Sequence, residues 1–182
     1  MPWTTPRTWS TSEVVTAAML NTHIRDNENW LRAHHGCRVY KSANQTVANG
    51  NNDVVTFNSE VFDTDGFHDP STNNSRITIP TGLDGYYFVI AEVISDADAT
   101  NHTGANIRLR KNAAGASGAG TFLHVSRGVG HTIQWSLPPL TWIGPLVAND
   151  HIEVFFESVS EAHDLQGGDQ TLTSLNVVVL GN

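Results

Sequence analysis

The chain has 182 residues, which is enough for one domain with a well-filled core and for little more. Its 10 Lys and Arg against 18 Asp and Glu give a formal net charge of −8. That balance argues against a nucleic-acid partner, whose phosphates require a basic surface. Cys37 is the single cysteine, so an intrachain disulfide is excluded, and no apolar run approaches the roughly 18 residues expected of a membrane-inserted helix.

Residues 1–11 predict an extended arm, because Pro2 and Pro6 oppose helix formation. So short an extended segment cannot bury two tryptophan rings against itself, and we therefore expect it to lie on another surface. The residues expected to anchor the arm are Trp3, Pro6, Arg7 and Trp9.

Residues 12–36 predict one helix, which Ser10 and Glu13 would open as a capping box and Gly36 would end. Two interpretations of its apolar row are open: the helix packs on its own β-domain, or it meets copies of itself around a symmetry axis. A polar Asn within such a row commonly sets register and oligomeric state, which favours self-association. The predicted seam consists of Ala17, Leu20, Ile24, Asn27 and Leu31.

Residues 37–182 alternate strand patterns with turn-forming clusters such as Asn49-Gly50-Asn51-Asn52. Eight or nine short strands at this spacing predict an all-β fold, an antiparallel jelly-roll sandwich preceded by the arm and the helix. The last strand is apolar on both faces, which indicates a central position or a subunit contact.

Two stretches resemble the globular heads of the complement first component and of the tumour-necrosis-factor superfamily. In "RITIPTGLDGYYFVIAEV", Gly85 and Tyr87 match the family's Gly-x-Tyr-x-Phe, whereas Val89 stands in place of Phe and Phe88 lies one position early. The upstream "VVTFNSEVFDTDGFHD" and the last two strands are also similar in pattern. The resemblance covers roughly residues 37–182 and implies a homotrimer built around aromatic and aliphatic residues on one sheet face.

The arm carries a second resemblance. "WTTPRTWSTSEVVTAAMLNTHIRDN", from Trp3 to Asn27, is similar to a recurrent opening of phage and prophage virion proteins. This resemblance implies a tail-fibre, head-fibre or capsid-decoration subunit, located in the virion, whose arm contacts another virion protein.

Candidate sites for chemistry are few. Asp63, Asp65 and Asp69 are the best metal candidates, but the spacing fails as a calcium helix–loop–helix, and a turn closed by Asp side chains explains them equally. Trp135 and Trp142 bracket an apolar Pro-Pro segment and indicate either a core or subunit contact or a platform for host-surface glycan. No motif predicts a cofactor or a nucleophile.

The combined interpretation is a trimeric structural protein of a bacteriophage, not an enzyme, that displays a jelly-roll head for decoration or host-surface binding. Two alternatives stay open. One is a glycan-degrading tail enzyme with a pair of carboxylates, and the other is a non-viral trimeric binding protein of the complement-head type.

Overall fold

The computed structural model describes residues 3–97, 104–128, 135–159 and 162–181. Its helical part comprises α1 (Ala17–Leu20), a π-helical turn (Asn21–Arg25) and α2 (Asp26–Arg32). None of the helices in the described ranges is long and apolar enough to cross a membrane. The strands of these ranges are β1 (Gly36–Tyr40), β2 (Gln45–Val47), β3 (Asn52–Val54), β4 (Ser59–Asp63), β5 (Arg76–Thr78), β6 (Gly85–Glu92), β7 (Ile94–Ala97), β8 (Ala105–Lys111), β9 (Thr121–Gly128), β10 (Trp135–Ser136), β11 (Leu140–Leu146), β12 (His151–Ser158), β13 (His163–Leu165) and β14 (Ser174–Gly181).

The strands form an antiparallel sandwich, which confirms the predicted all-β jelly roll. One sheet has the order β11-β6-β14-β1-β4, and the other has the order β3-β12-β8-β9 with β5 also paired to β12. A smaller sheet, β10-β7-β13-β2, completes the fold. The alternation of side chains along each strand sends one set inward, so Val89 and Val177 of the first sheet share a buried core with Ile107 and Val154 of the second.

The last strand lies in the centre of its sheet, between β6 and β1, which confirms one of the two positions predicted for it. Leu175 and Val177 are fully buried, whereas Val178 and Leu180 point outward and are 39% and 57% exposed. The inward apolar residues of β14 therefore belong to the core, whereas its outward apolar residues are exposed and do not.

The helix is shorter than the predicted 12–36 and begins only after Thr16, whose Oγ1 accepts a hydrogen bond from the Met19 N–H at 3.3 Å. Ser12 has a φ of 64°, a left-handed conformation that a right-handed helix cannot contain. Ser10 and Glu13 do form reciprocal bonds, but these close a turn ahead of the helix. Gly36 belongs to β1 rather than ending the helix, because the backbone already becomes extended at Ala33.

Candidate functional site: an apolar sheet face and the N-terminal arm

The outward face of the first sheet is apolar at its centre. In β6, Tyr87 and Val89 point into the core, so Tyr86 and Phe88 point outward, and Tyr86 is 57% exposed. In the neighbouring strand β11, Ile143 is 63% exposed. The strand registers pair Phe88 with Ile143 on one side and with Val178 on the other, which makes a row across three strands. Side chains paired in this way lie about 5 Å apart, so the exposed groups are contiguous. We call Tyr86, Phe88, Ile143, Val178 and Leu180 the apolar face.

The apolar face continues onto the helix. A cavity of about 150 Å³ lies between the end of α2 and strand β14, and its lining includes Trp30, Leu31, His35, Val178 and Leu180. Leu31 is 64% exposed on the rim of this cavity. The chain crosses from helix to sheet at this point, where the Val179 N–H donates to the His35 carbonyl oxygen at 3.0 Å. The helix and the sheet thus present one connected apolar surface.

The arm lies on the chain's own helix. The Trp3 ring packs edge-on against Trp30, with centroids 5.6 Å apart, and Trp3 is partly buried against the core. The Thr4 N–H donates to Asn27 Oδ1 at 3.0 Å, and Asn27 Nδ2 donates back to the Thr4 carbonyl oxygen at 2.7 Å. Asn27 thereby pairs with the arm as a second backbone would.

The four residues predicted to anchor the arm divide into two kinds. Trp3 is engaged within the chain, whereas Pro6 and Trp9 stay exposed, Trp9 by 39%. Arg7 forms an ion pair with Glu13 and lies over the Trp9 ring, 4.7 Å from its centroid. The surface that Trp3 contacts is therefore this chain's own, and the part of the arm free to contact another protein is the segment around Pro6 and Trp9.

The predicted helical seam is only partly present. Ala17, Leu20, Ile24 and Leu31 are exposed, but Asn27 is buried beneath the arm at 5% exposure. A π-helical turn holds about one residue more than an α-helical turn, so residues after Asn21–Arg25 are rotated relative to a regular helix. That rotation turns Asn27 away from Ala17 and Leu20, with which the heptad spacing of the sequence would align it.

Asp63, Asp65 and Asp69 do not form the predicted metal site. The Asp63 carboxylate accepts hydrogen bonds from four successive backbone N–H groups, those of residues 65 to 68. Asp65 bonds to His35 and Thr64, and Asp69 closes a separate turn, where hydrogen bonds from Ser71 and Thr72 lower the pKa of its carboxyl group. Within the part of the chain that the structure describes, no group of three or more His, Cys, Asp or Glu side chains is placed to hold a metal ion.

Trp142 does not offer an open platform for a ligand. Its ring packs against the core and fills the space above Gly144, where a side chain would collide with the indole. The backbone of Trp135 belongs to β10, but its side chain lies outside the described part of the structure. Of the two predicted positions, the described one therefore has a packing role.

Three buried titratable side chains, those of Cys37, Tyr87 and Lys41, contact groups that hold the fold together. Burial raises the pKa of the Cys37 thiol, with a further contribution from the charge of Asp63, so the thiol is held protonated. Burial also raises the pKa of Tyr87, whose hydroxyl donates to the Leu83 carbonyl oxygen. Lys41 is 2% exposed, and its ammonium donates to Gln45 Oε1 at 2.9 Å and to Thr56. These groups support the fold, and none is arranged as an activated nucleophile.

Tyr86 and Ile143 occupy no defining position of a motif in the sequence. A signal was present, since Leu140, Gly144 and Leu146 alternate as inward positions, and Ile143 then falls on the outer face. Tyr86 likewise precedes the buried Tyr87. Strand parity identifies both as outward, but only the register shows that they share one surface.

The comparisons with known proteins support the fold. No family model and no curated protein matches the chain. Among solved structures, Eiger, a TNF from S. frugiperda, aligns with a TM-score of 0.57 at 12% identity over 82% of this chain and 94% of that one. The globular domain of zebrafish complement 1qA aligns with a TM-score of 0.55 at 12% identity, over 82% of this chain and 99% of that one. Murine APRIL aligns with a TM-score of 0.59 at 12% identity, over 81% of this chain and 100% of that one. The head therefore has the jelly-roll fold of tumour-necrosis-factor and complement-type domains.

Proposed function

We propose that this protein is a homotrimeric, non-enzymatic binding head whose copies associate through the apolar face. The observation that carries the proposal is the contiguous exposure of Tyr86, Ile143, Val178 and Leu180 on one sheet. Contiguous exposed apolar surface of this kind marks an interaction site, since isolated monomers rarely leave it open to water. A trimer is proposed because the resemblance of the head implies that state and the solved structures share its fold.

The association can be tested with Val178→Glu and Leu180→Glu. Each places a carboxylate in the centre of the proposed contact, where its desolvation opposes association. Light scattering should give three times the chain mass of 19.8 kDa for the wild type and the single chain mass for the variants. Val159→Glu, at a position 51% exposed beyond the end of β12, is the matched control and should remain trimeric. A monomeric wild type would refute the proposal.

We further propose that the head is a structural component of a bacteriophage virion, attached through the free part of the arm. The support is the resemblance of Trp3 to Asn27 to virion protein openings, together with the exposure of Pro6 and Trp9. Because Trp3 and Trp30 pack against the head, removal of the whole arm and helix would uncover the core. A point variant is therefore the sharper probe.

The attachment test compares Trp9→Ser with Val14→Ser in the full chain, both at exposed positions. Virion particles should lose the chain carrying Trp9→Ser and retain the chain carrying Val14→Ser, as measured by mass spectrometry of purified particles. If the wild-type chain is absent from particles, the virion role fails while the trimer test stands. The non-viral alternative, a trimeric recognition head, is then favoured, because the fold likeness supports it equally.

The alternative of a glycan-degrading enzyme gains no support from the glutamates of β12. Glu153 is 1% exposed and its Oε1 accepts the Gly115 N–H at 2.8 Å, whereas Glu157 is paired with Arg108. A glycosidase needs two carboxyl groups that flank the scissile bond in an open cleft. Neither of these two glutamates is free to take that position.

A further inference from the structure

The outward face of the second sheet collects an unusual share of the chain's positive charge. The strand registers of β8 with β9, of β12 with β8 and of β12 with β5 place six charged side chains on one face of this sheet. They comprise four of the chain's eight arginines and two glutamates, a local charge of +2 on a chain whose net charge is −8. We call this set the arginine face, and its charged members are Arg76, Arg108, Arg110, Arg127, Glu153 and Glu157.

Most of these arginines are not neutralised by a carboxylate. Arg108 forms an ion pair with Glu157, but Arg76, Arg110 and Arg127 have no ion pair with any residue that the structure describes. Burial, and secondarily the charge of Arg108, lowers the pKa of Arg110, as expected where cations crowd together. A positive potential therefore persists on this face although the rest of the chain is acidic.

Apolar groups lie directly beside these cations. Phe122 and Val125 of β9 are 53% and 42% exposed and line a groove of about 470 Å³ together with His124. The Arg110 guanidinium lies 3.7 Å from the centroid of the Phe122 ring. That contact covers one side of the ring and holds it in place, while more than half of the side chain stays open to solvent.

The cations are spread over a distance that fits a polymer with a repeated negative charge. Adjacent strands lie about 4.8 Å apart, so the row from Phe122 through Arg110 to Arg76 spans about 14 Å. Arg127 is two residues from Val125 on the same strand and lies about 7 Å along it. A nucleic-acid duplex carries one phosphate charge per about 1.7 Å of its axis, a density that calls for a larger basic surface than these four arginines. A polyuronate carries one carboxylate on each sugar, which a guanidinium can bind bidentately, and its sugar faces can stack on an aromatic ring.

We propose that the groove of β9 and the arginine face bind an acidic polysaccharide of the polyuronate class. Phe122 and Val125 contact the sugar faces, and Arg127 bonds to a uronate carboxylate. This proposal rests on the head being a binding domain, and it names the chemistry of its ligand. It does not depend on the oligomeric state, because the groove is built within one chain.

The test measures binding of polygalacturonate by calorimetry at low salt, with neutral dextran as the comparison polymer. The wild type should bind polygalacturonate and not dextran. Arg127→Gln should weaken binding about tenfold, the loss expected for one charge-assisted hydrogen bond. Phe122→Ser should weaken it as well, through the lost stacking. Arg25→Gln, at an exposed helical arginine paired with Asp26, is the matched control and should bind as the wild type does.

Three results would overturn the proposal: no binding of polygalacturonate, equal weakening by Arg25→Gln and Arg127→Gln, or equally tight binding of single-stranded DNA that depends on the same two residues. Light scattering on the same samples reports the oligomeric state separately. Failure of polysaccharide binding in a trimeric sample therefore leaves the proposed association intact, and binding by a monomer refutes only the association.

Discussion

The two large sheets of the sandwich share one core but have opposite outward faces. The outward positions of β6, β11 and β14 carry Tyr86, Ile143 and Val178, and their one charge is Glu92 at the end of β6. Those of β8 and β12 carry Arg108, Arg110, Glu153, Phe155 and Glu157. The first face is open at its centre, and the second is partly covered by the segment 112–120, whose Gly115 N–H bonds Glu153 and whose Ala119 carbonyl oxygen accepts from Arg110. Two surfaces of one sandwich can therefore serve different partners.

The comparison between inward and outward positions is sharpest at Phe155 and Phe156, which are adjacent in β12 and both fully buried. Phe156 belongs to the core, whereas Phe155 is packed on the opposite side of the sheet, 5.9 Å from the Arg110 guanidinium. We expect Phe156→Ala to lower the free energy of unfolding by about 3–5 kcal/mol in urea titrations. Phe155→Ala should cost at least about 1 kcal/mol less, because the covering segment can settle into the space. Equal losses would show that the arginine face is packed as firmly as the core.

A second difference concerns buried charge beneath the apolar sheet, where Lys41 follows β1. Burial lowers the pKa of Lys41 from 10.5 to about 8. Between these values the unfolded chain binds more protons than the folded chain, so folding stability rises with pH across that window. Relative to Lys41→Met, the wild type should gain up to about 3 kcal/mol between pH 8 and pH 10.5. The measurement is chemical denaturation at several pH values, and the difference should be flat below pH 7. A difference that is flat up to pH 10.5 would mean that Lys41 keeps its ordinary pKa in the fold.

The smallest effect is expected from single exposed aromatic residues on the two faces. Tyr86→Ser should change the unfolding free energy of the isolated chain by about 0.5 kcal/mol or less, and Phe122→Ser should lower it by about 1 kcal/mol because the ring leaves the Arg110 guanidinium. Their functional effects should differ, since only Tyr86→Ser lies in the proposed subunit contact. Sedimentation at increasing concentration should show weaker association for Tyr86→Ser alone. Weakened association by Phe122→Ser would place the subunit contact on the arginine face instead.

Much of the head could be predicted from the sequence because strand parity follows directly from alternation. Strand β14 is one example: its apolar residues on both faces indicate a central position or a subunit contact, and the strand does lie in the centre of its sheet. The partnership of Arg108, Arg110 and Phe122 could not be predicted in the same way. It depends on a bulge between Leu109 and Arg110 that sets which β9 residue faces each arginine, and a sequence pattern does not reveal that register.

The N-terminal part was harder to predict for a related reason. A heptad seam predicted from the alternating spacings of three and four residues assumes a constant helical repeat, and the π-helical turn interrupts that repeat. Spacing alone does not reveal the partner that Asn27 has within the chain, which is the backbone of Thr4. The turn formed by Asp63 was among the sequence interpretations, because Asp side chains commonly bond to backbone N–H groups just beyond them.

The π-helical turn also has a consequence for how this segment can change over time. Deleting one residue within Asn21–Arg25 would restore a regular helix and turn Asn27 toward the side of Leu20. The arm would then lose both hydrogen bonds to Asn27, while the helix would gain an uninterrupted row for pairing with other helices. The loss of a single residue could thus convert a helix that binds its own arm into a helix suited to pair with other copies.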